Sequence, residues 1–309
     1  MVSRFQDLAN TRPGGAVMTT PNASTITIGG DLSVGRIGFG AMQLTGKQVW
    51  GDYPDRDGGI ALLRAVIDAG VTFIDTADVY GPHTNEILIR EALHPYPESL
   101  VIATKGGFVR GGYEYSTLGA VGNPNYLRQS AHMSARRLGL DGIDLYYLHS
   151  GQAIDVPFED QVATLAAMKE EGLIRHIGLS NVTLEQLKAA REITSIAAVT
   201  ALYNTSNRTG ASLLGAAEED GSVFSPWHPM GIVEGGDPER IIAALEPIAQ
   251  NHSASRQQIA LAWHLHRAPN MLPIPGTTSI EHLRTNLAAA SITLTPEEVA
   301  TITALVPEN

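Results

Sequence analysis

The sequence predicts an α/β fold, a (β/α)8 barrel entered through a β-hairpin, on three observations. The phrase helix, glycine, strand recurs with almost nothing between its parts, and the strand-like runs number about eight. A chain of 309 residues, 43% of them hydrophobic, is also long enough for one such barrel, which takes about 250 residues. Parallel strands need crossover connections, and a helix stopped by glycine and followed at once by a strand is what a crossover looks like in sequence. The competing architecture is an open doubly wound sheet. It needs an early glycine-rich phosphate loop, and Gly38 to Gln43 (GFGAMQ) lacks the third glycine of GxGxxG.

Taken in order, Ser24 to Gly40 opens with alternating Ile26 and Ile28, turns at Gly29-Gly30-Asp31 and alternates again, which reads as the hairpin. The first barrel strand is expected at Arg36 to Phe39. Arg56 to Ala69 carries Ile60, Leu63, Val66 and Ile67 at helical spacing, stops at Gly70 and leads into a strand at Val71 to Asp75. Val101 to Lys105 is the next strand. The phrase returns as helix Tyr126 to Leu138, Gly139 and strand Ile143 to Leu148, then as helix Phe158 to Glu171, Gly172 and strand Ile174 to Leu179. Strand Ala197 to Leu202 precedes helix Ala211 to Asp220, Gly221 and strand Ser222 to Ser225, and Met271 to Ile274 completes the set. One domain is expected over residues 24–309, with residues 1–23 a flexible extension. Met18 is a second candidate start, which would leave Met1 to Val17 upstream of it.

Composition narrows the function. A net charge of −11 argues against nucleic acid and against an anionic membrane surface, since either partner wants a basic face. The absence of cysteine excludes disulfides, thiolate catalysis and cysteine-held zinc or iron–sulfur clusters. No apolar run approaches the roughly 20 residues that span a bilayer, and Met1 to Thr20 has no apolar signal-peptide core, so a cytoplasmic address is expected. The histidines include no HExxH, and His264 and His266 stand two apart on an expected helix, facing different ways. No metal site is expected. The partner is a small molecule; monomer and homo-oligomer stay open.

Every strand of a barrel points its C-terminal end at one face, where the chemistry lies. Those ends carry Asp75, in the stretch FIDTADVYG from Phe73 to Gly81, Lys105 in VIATKGG, His149 in IDLYYLHS, and Ser180 with Asn181 in HIGLSN. Tyr80 follows Asp75 in its loop. Singly, each has a plainer explanation: Asp75 or Asp78 as a helix cap, Lys105 reaching the rim, His149 a satisfied core histidine. Together they require several coincidences, because charged groups at the ends of core strands are costly to bury unless paired. A tyrosine with an ordinary pKa of about 10 is a poor acid near neutrality unless a cation stabilises its phenolate. Lys105 can supply the cation, Asp75 can hold that ammonium in place, and His149 can orient a carbonyl oxygen toward Tyr80. Such a set protonates oxygen while something else attacks carbon, and a hydride donor is the natural complement. A Schiff-base aldolase using Lys105 is the alternative, opposed by Asp75, which keeps the amine protonated.

The motifs IDTADVYG, ATKGG, DLYYLH, GLSN and IPGTTSIEHLRTN occur in this order between Ile26 and the C-terminus, and in them the chain resembles the aldo-keto reductases, TIM-barrel oxidoreductases that reduce carbonyls with a nicotinamide cofactor. It is most similar to the bacterial branch near the pyridoxal reductases. The resemblance implies a tetrad of Asp75, Tyr80, Lys105 and His149, with Tyr80 the general acid. It implies Ser180 and Asn181 on the nicotinamide carboxamide and Phe224, in VFSPW, stacked on the nicotinamide ring, with Gly40, Met42, Ser225 and Pro226 nearby. The far end of the cofactor is expected at Pro275 to Asn286, where a helix starts just after a strand and its free N–H groups favour phosphate. There Gly276, Thr277, Thr278 and Ser279 approach the phosphates, His282 and Arg284 are the cations for a 2′-phosphate, and Asn286 holds adenine. NADPH is expected over NADH, although Gly276 stands where some members place a lysine. A catalytically weak, redox-sensing module of the same fold is a further alternative.

Two departures from the family pattern mark this chain. VTALYN, Val199 to Asn204, has Thr200 where members carry a glutamine on the carboxamide, and Ser150, Gly151 and Gln152 follow His149 where a bulky or basic residue is common. Substrate contacts are expected from Trp50 in the loop Lys47 to Tyr53, from Tyr113 and Tyr115 in the glycine-rich loop Phe108 to Asn123, and from Ser150. Trp227 to Asp237, with Gly231, Gly235 and Gly236, is expected to close over the pyrophosphate.

Overall fold

The computed structural model describes residues 24–308 apart from 234 and 236, so the expected extension over residues 1–23 and Gly236 of the expected pyrophosphate loop lie outside the described residues. At the start, β1 (Thr25–Ile28) and β2 (Leu32–Gly35) pair antiparallel, Thr25 opposite Gly35 and Ile28 opposite Leu32. Gly29 and Gly30 turn the chain at φ of 63° and 88°, a region that costs glycine nothing. A Cβ on Gly29 would also stand 2.2 Å from the His176 imidazole, which bonds Asp31 of the same turn at 2.6 Å.

β3 (Phe39–Gly40), β4 (Phe73–Asp75) and β5 (Val101–Gly106) come next, followed by a separate antiparallel hairpin of β6 (Phe108–Arg110) and β7 (Leu118–Ala120). Then come β8 (Ile143–Leu148), β9 (Ile174–Ser180), β10 (Ala198–Leu202) and β11 (Val223–Trp227). Excluding the two hairpins, the strands form one curled parallel sheet of seven in sequence order, β3, β4, β5, β8, β9, β10, β11. Between and after them lie α1 (Arg56–Asp68), α2 (Thr84–Leu93), α3 (Pro124–Leu138), α4 (Phe158–Glu170), α5 (Leu184–Ile193), α6 (Ala211–Asp220), α7 (Pro238–Asn251), α8 (Arg256–Arg267), α9 (Ile280–Ala288) and α10 (Pro296–Thr303). The expected glycine stops are all left-handed: φ is 83° at Gly70, 72° at Gly139, 79° at Gly172 and 77° at Gly221. At the other ends, reciprocal capping boxes start α5 (Thr183 with Gln186), α8 (Ser255 with Gln258) and α10 (Thr295 with Glu298). No helix among the described residues is long and apolar enough to cross a membrane.

The strand expected at Met271 to Ile274 is not a regular strand. Pro273 and Pro275 have no N–H to give a ladder, so the segment bonds irregularly. It nevertheless meets both edges of the sheet. Leu272 N–H donates to Phe224 O (2.9 Å) on one side, while Gly38 N–H donates to Pro273 O (3.0 Å) and Gly40 N–H to Pro275 O (3.3 Å) on the other. Likewise the strand expected at Arg36 to Phe39 shrinks to Phe39–Gly40. Arg36, buried, instead donates from its guanidinium to the carbonyls of Leu265, Ala268 and Met271, fastening the start of the sheet to its end.

Alternation sorts the side chains into two layers. Phe73, Val101, Ala103, Leu145, Tyr147 and Val223 form an inner cluster, which Ile28, Leu32 and Val34 of the first hairpin join. Ile74, Ile102, Tyr146, Val199 and Phe224 pack instead against the helices. A polar network also lies between β5, α2 and α3. Glu86, fully buried, accepts from Thr104 Oγ1 and Arg137 Nε, both at 2.6 Å; Ser130 Oγ donates to Asp78 Oδ2 at 2.6 Å, and Tyr146 Oη donates to Ser130 Oγ at 3.2 Å. Asp78 Oδ1 has no partner.

Burial pushes the Asp78 carboxyl up to about 7, with the Glu86 charge adding to it and the Ser130 hydrogen bond opposing it. The folded chain therefore holds a proton that the unfolded chain releases, and stability falls as pH rises from about 4 to about 7. Asp78→Asn removes that loss. The variant should melt several degrees above the parent at pH 8, with the gap closing toward pH 5; calorimetry at both pH values checks it, and an equal gap at both would contradict this origin.

Candidate active site

The parallel register lines up the C-terminal strand ends. Asp75 ends β4 opposite Ala103, Lys105 lies near the end of β5 opposite Tyr147, and Ser180 ends β9 opposite Thr200. His149 follows β8 directly, its backbone N–H held by Gly106 O at 2.9 Å. Tyr80 comes from the turn after β4. That turn is tied to the neighbouring strand beyond the ladder, through Thr76 N–H to Ala103 O (2.9 Å) and Asp78 N–H to Lys105 O (3.1 Å).

Lys105 and Asp75 are 3% and 4% exposed and pair directly, Lys105 Nζ donating to Asp75 Oδ1 and, at 2.7 Å, to Thr76 O. The Nζ stands 5.3 Å from the Tyr80 ring centroid. The Tyr80 and His149 rings meet edge to face at 6.0 Å, and Phe108 packs against His149 at 4.8 Å. Burial pushes the Asp75 carboxyl up, against the pull of the Lys105 charge. Burial, joined by the charge of Lys105, holds His149 well below the usual histidine range, so its imidazole is neutral; its Nδ1 is buried without a partner. Tyr80 departs from expectation. Burial first, then the negative charge of Asp75, holds its phenol well above the ordinary value. Tyr80 is therefore a protonated phenol at neutral pH.

These groups share one cavity of about 550 Å³. Asp75, Tyr80, Lys105, His149, Gly40, Met42, Ser180, Asn181, Tyr115 and Gly276 all line it. Asn181 sits at φ 51°, a left-handed position that asparagine tolerates, with its Oδ1 accepting from Trp227 Nε1 at 3.0 Å and its Nδ2 donating to Ser180 Oγ at 3.1 Å. Gly276 is explained by close approach: a Cβ there would stand 2.9 Å from Gly40 O, and one on Gly40 would stand 2.7 Å from Ile274 O. A lysine at 276 would force these backbones apart.

Other expected contacts are turned away. Phe224 is fully buried, edge-on to Tyr203 at 5.8 Å, because β11 directs it with Val199 toward the helices; it cannot stack on a ring in the cavity. Pro226 follows Phe224 outward, and Ser225, on the inner side, donates its hydroxyl to Leu272 O at 2.9 Å. Trp227, three residues on from Phe224, is the aromatic of β11 that reaches the cavity. Ser150 is buried and accepts from Gln152 N–H at 3.0 Å, so it does not face substrate space. Trp50 and Tyr113 meet edge to face at 6.5 Å outside the cavity lining. The glycine-rich loop is in fact the β6–β7 hairpin, which brings in Phe108, Arg110 and Leu118. Of the last unit, Thr277 is buried with its Oγ1 accepting from Ser279 N–H (3.1 Å), Thr278, His282 and Arg284 are exposed around the start of α9, and Asn286 is buried. They lie beyond Gly276, outside the cavity itself. His228 to Val233, expected only as a loop over the pyrophosphate, line the cavity. Thr200 lines it too, in the place of the family glutamine.

Comparisons with known proteins point to one family. The model of the Aldo/keto reductase family matches residues 36–307. An uncharacterized oxidoreductase of Schizosaccharomyces pombe is 45% identical over 281 residues, 90% of this chain and 88% of that one. Pyridoxine 4-dehydrogenase of Escherichia coli is 40% identical over 287 residues, 91% of this chain and 98% of its own. Among solved structures, an aldo/keto reductase from Klebsiella pneumoniae in complex with NADP and acetate superposes with a TM-score of 0.76 at 27% identity, covering 91% of this chain and 95% of that one. With a TIM-like barrel fold, a shared cavity at the strand ends and a family match over nearly the whole described chain, this protein is an oxidoreductase that belongs to the aldo/keto reductase family.

Proposed function

We propose that this chain is a cytoplasmic, NADPH-preferring reductase of the closed (β/α)8 type, in which the segment around Met271 to Pro275 serves as an irregular eighth strand, and that it reversibly converts an aldehyde or ketone to the alcohol. The observation that carries the reading is the convergence of Tyr80, His149 and the Lys105–Asp75 pair on one cavity that Ser180 and Asn181 also line. The residues fit a dinucleotide. The cavity is of ligand size, runs from His149 to Gly276 and leads toward the start of α9, whose first N–H groups suit phosphate. Ser180 and Asn181 would hold the carboxamide, with Thr200 too short to add the glutamine's second contact. Gly40, Met42 and Trp227 would border the nicotinamide end, while Thr277, Thr278, His282, Arg284 and Asn286 would serve the adenosine end. When bound, the cofactor supplies the hydride.

The residues of the chain manage the oxygen. The neutral His149 donates an N–H to the substrate carbonyl oxygen and aims it at Tyr80, which donates its phenolic proton as negative charge develops. Lys105 lies close enough to stabilise the phenolate that results, and Asp75 keeps that ammonium in place. The phenol is protonated at neutral pH, the form that reduction requires. In the same arrangement Lys105 has no lone pair to offer a carbonyl, which weighs against an aldolase. The name of the Escherichia coli relative supports an aryl or heteroaryl aldehyde as substrate, and the NADP in the Klebsiella structure supports the cofactor.

Tyr80→Phe should lower kcat for a panel of aldehydes by about 10²–10⁴-fold while the Kd for NADPH, read by fluorescence titration, stays within about threefold. Turnover at the parent rate would place the acid elsewhere, and negligible turnover by the parent on every carbonyl would favour a redox-sensing module. Arg284→Gln should weaken NADPH by about tenfold and leave NADH within about twofold in the same titration. Equal weakening of both would remove Arg284 from the 2′-phosphate.

A further inference from the structure

Of the charged side chains that line the cavity, Asp75 and Lys105 neutralise each other; Arg110 has no such partner among the described residues. Its Nη1 donates to the carbonyls of Gln48 (3.0 Å) and Val49 (3.3 Å), and its Nη2 donates to Tyr113 O (2.6 Å). Its Nε is buried with no acceptor. Carbonyl oxygens and rings hold the guanidinium without cancelling its charge: Cζ stands 5.2 Å from the Trp50 ring and 5.4 Å from that of Tyr115. In a chain of net charge −11, an arginine locked at a pocket wall with no ion-pair partner among the described residues is a cation kept for something else.

Position says what. Phe108 and Arg110 alternate onto the cavity side of β6, while Val109 between them is exposed. Phe108 touches the His149 ring, and Arg110 follows one strand repeat along β6, about 7 Å on in the backbone. That is roughly the length of a substituted benzene ring. Val49, Val79, Leu118 and Met230 add apolar lining to the same cavity.

We propose that Arg110 anchors an anionic oxygen of the substrate, and that the class this cavity takes is aryl aldehydes carrying such a group about one ring away from the carbonyl. The proposal rests on the reductase reading above. Guanidinium pairs with carboxylate, phosphate or phenolate oxygens in the same way.

The test compares 4-carboxybenzaldehyde with its neutral methyl ester, with benzaldehyde as reference. At low salt the parent enzyme should favour the acid over the ester by about tenfold or more in kcat/KM, carried mainly in KM, and the preference should shrink in 0.5 M NaCl, taken as about a 4 Å screening length. Arg110→Met should bring the ratio to parity, and Arg110→Lys should keep part of it. Loosened loops would slow both substrates alike, so the ratio isolates the charge. A parent with no preference, or an Arg110→Met variant that keeps it, overturns the anchor while benzaldehyde reduction leaves the reductase reading standing. If no carbonyl turns over, that reading fails, and quenching of tryptophan fluorescence still decides the anchor. 4-(Hydroxymethyl)benzoate should then bind about tenfold tighter than 4-(hydroxymethyl)benzamide, and equal binding overturns it.

Discussion

A buried ammonium joined to a buried carboxylate sits at the centre of this molecule. Lys105 and Asp75 are both removed from water, a state that costs several kcal/mol per ion unless each finds its counterpart and further hydrogen bonds. The backbone supplies the rest through Thr76 O, which takes a second Lys105 proton. Since Asp75 ends one strand and Lys105 its neighbour, the pair locks those strand ends in register, and the turn that carries Tyr80 is laid on the same strand by two further backbone bonds. Loss of either charge would strand the other in the core, so the geometry of the phenol depends on an interaction that the phenol does not itself make. The Glu86–Arg137 pair repeats the device one layer out, with Thr104 as its extra donor, and leaves Asp78 as the carboxyl without enough partners.

The strand period decides which side chains see the cavity. Along β11, Phe224 and Pro226 face the helices with Val199 and Ala201 of β10, while Ser225 and Trp227 face inward with Thr200 and Leu202. A shift of one residue would exchange the sets. Phe224 therefore joins Tyr203 in the outer core, where its area is worth burying, and Trp227 takes the aromatic position at the mouth. The same logic applies at the seam of the sheet. Prolines at 273 and 275 prevent a regular strand, yet their carbonyls remain acceptors, and Gly38 and Gly40 use them. Gly40 and Gly276 are small because the two backbones meet there beneath the cavity.

The walls beyond the strand tips are made by connections. The β6–β7 hairpin turns a glycine-rich stretch into an ordered wall, tied by Tyr126 Oη to Phe108 O at 2.6 Å and by Arg110 to the loop before α1. One guanidinium thus braces two connections through their carbonyls and presents charge to the space between them. Acidic residues dominate the chain as a whole, so this positive point within an apolar wall is a local feature of the cavity rather than a reflection of overall composition.

By itself the sequence determined the repeating helix–glycine–strand order and the residues at the strand ends. Both follow from local physics: helical spacing, glycines that alone accept left-handed stops, and carboxylate, ammonium and imidazole groups too costly to bury without purpose. Asp75, Lys105, His149, Ser180 and Asn181 were legible for that reason. Which face of a strand looks inward, how the chain spans Pro273 and Pro275, and where long connections come to rest were settled by contacts between distant parts of the chain. Phe224, Ser150 and Arg110 were misread or missed because inward and outward are relations between strands, and two of the carbonyls that hold Arg110 lie about sixty residues away in the chain. Even the raised pKa of the Tyr80 phenol belonged to the folded chain, since it depends on how much water is excluded and on the Asp75 charge brought beside it.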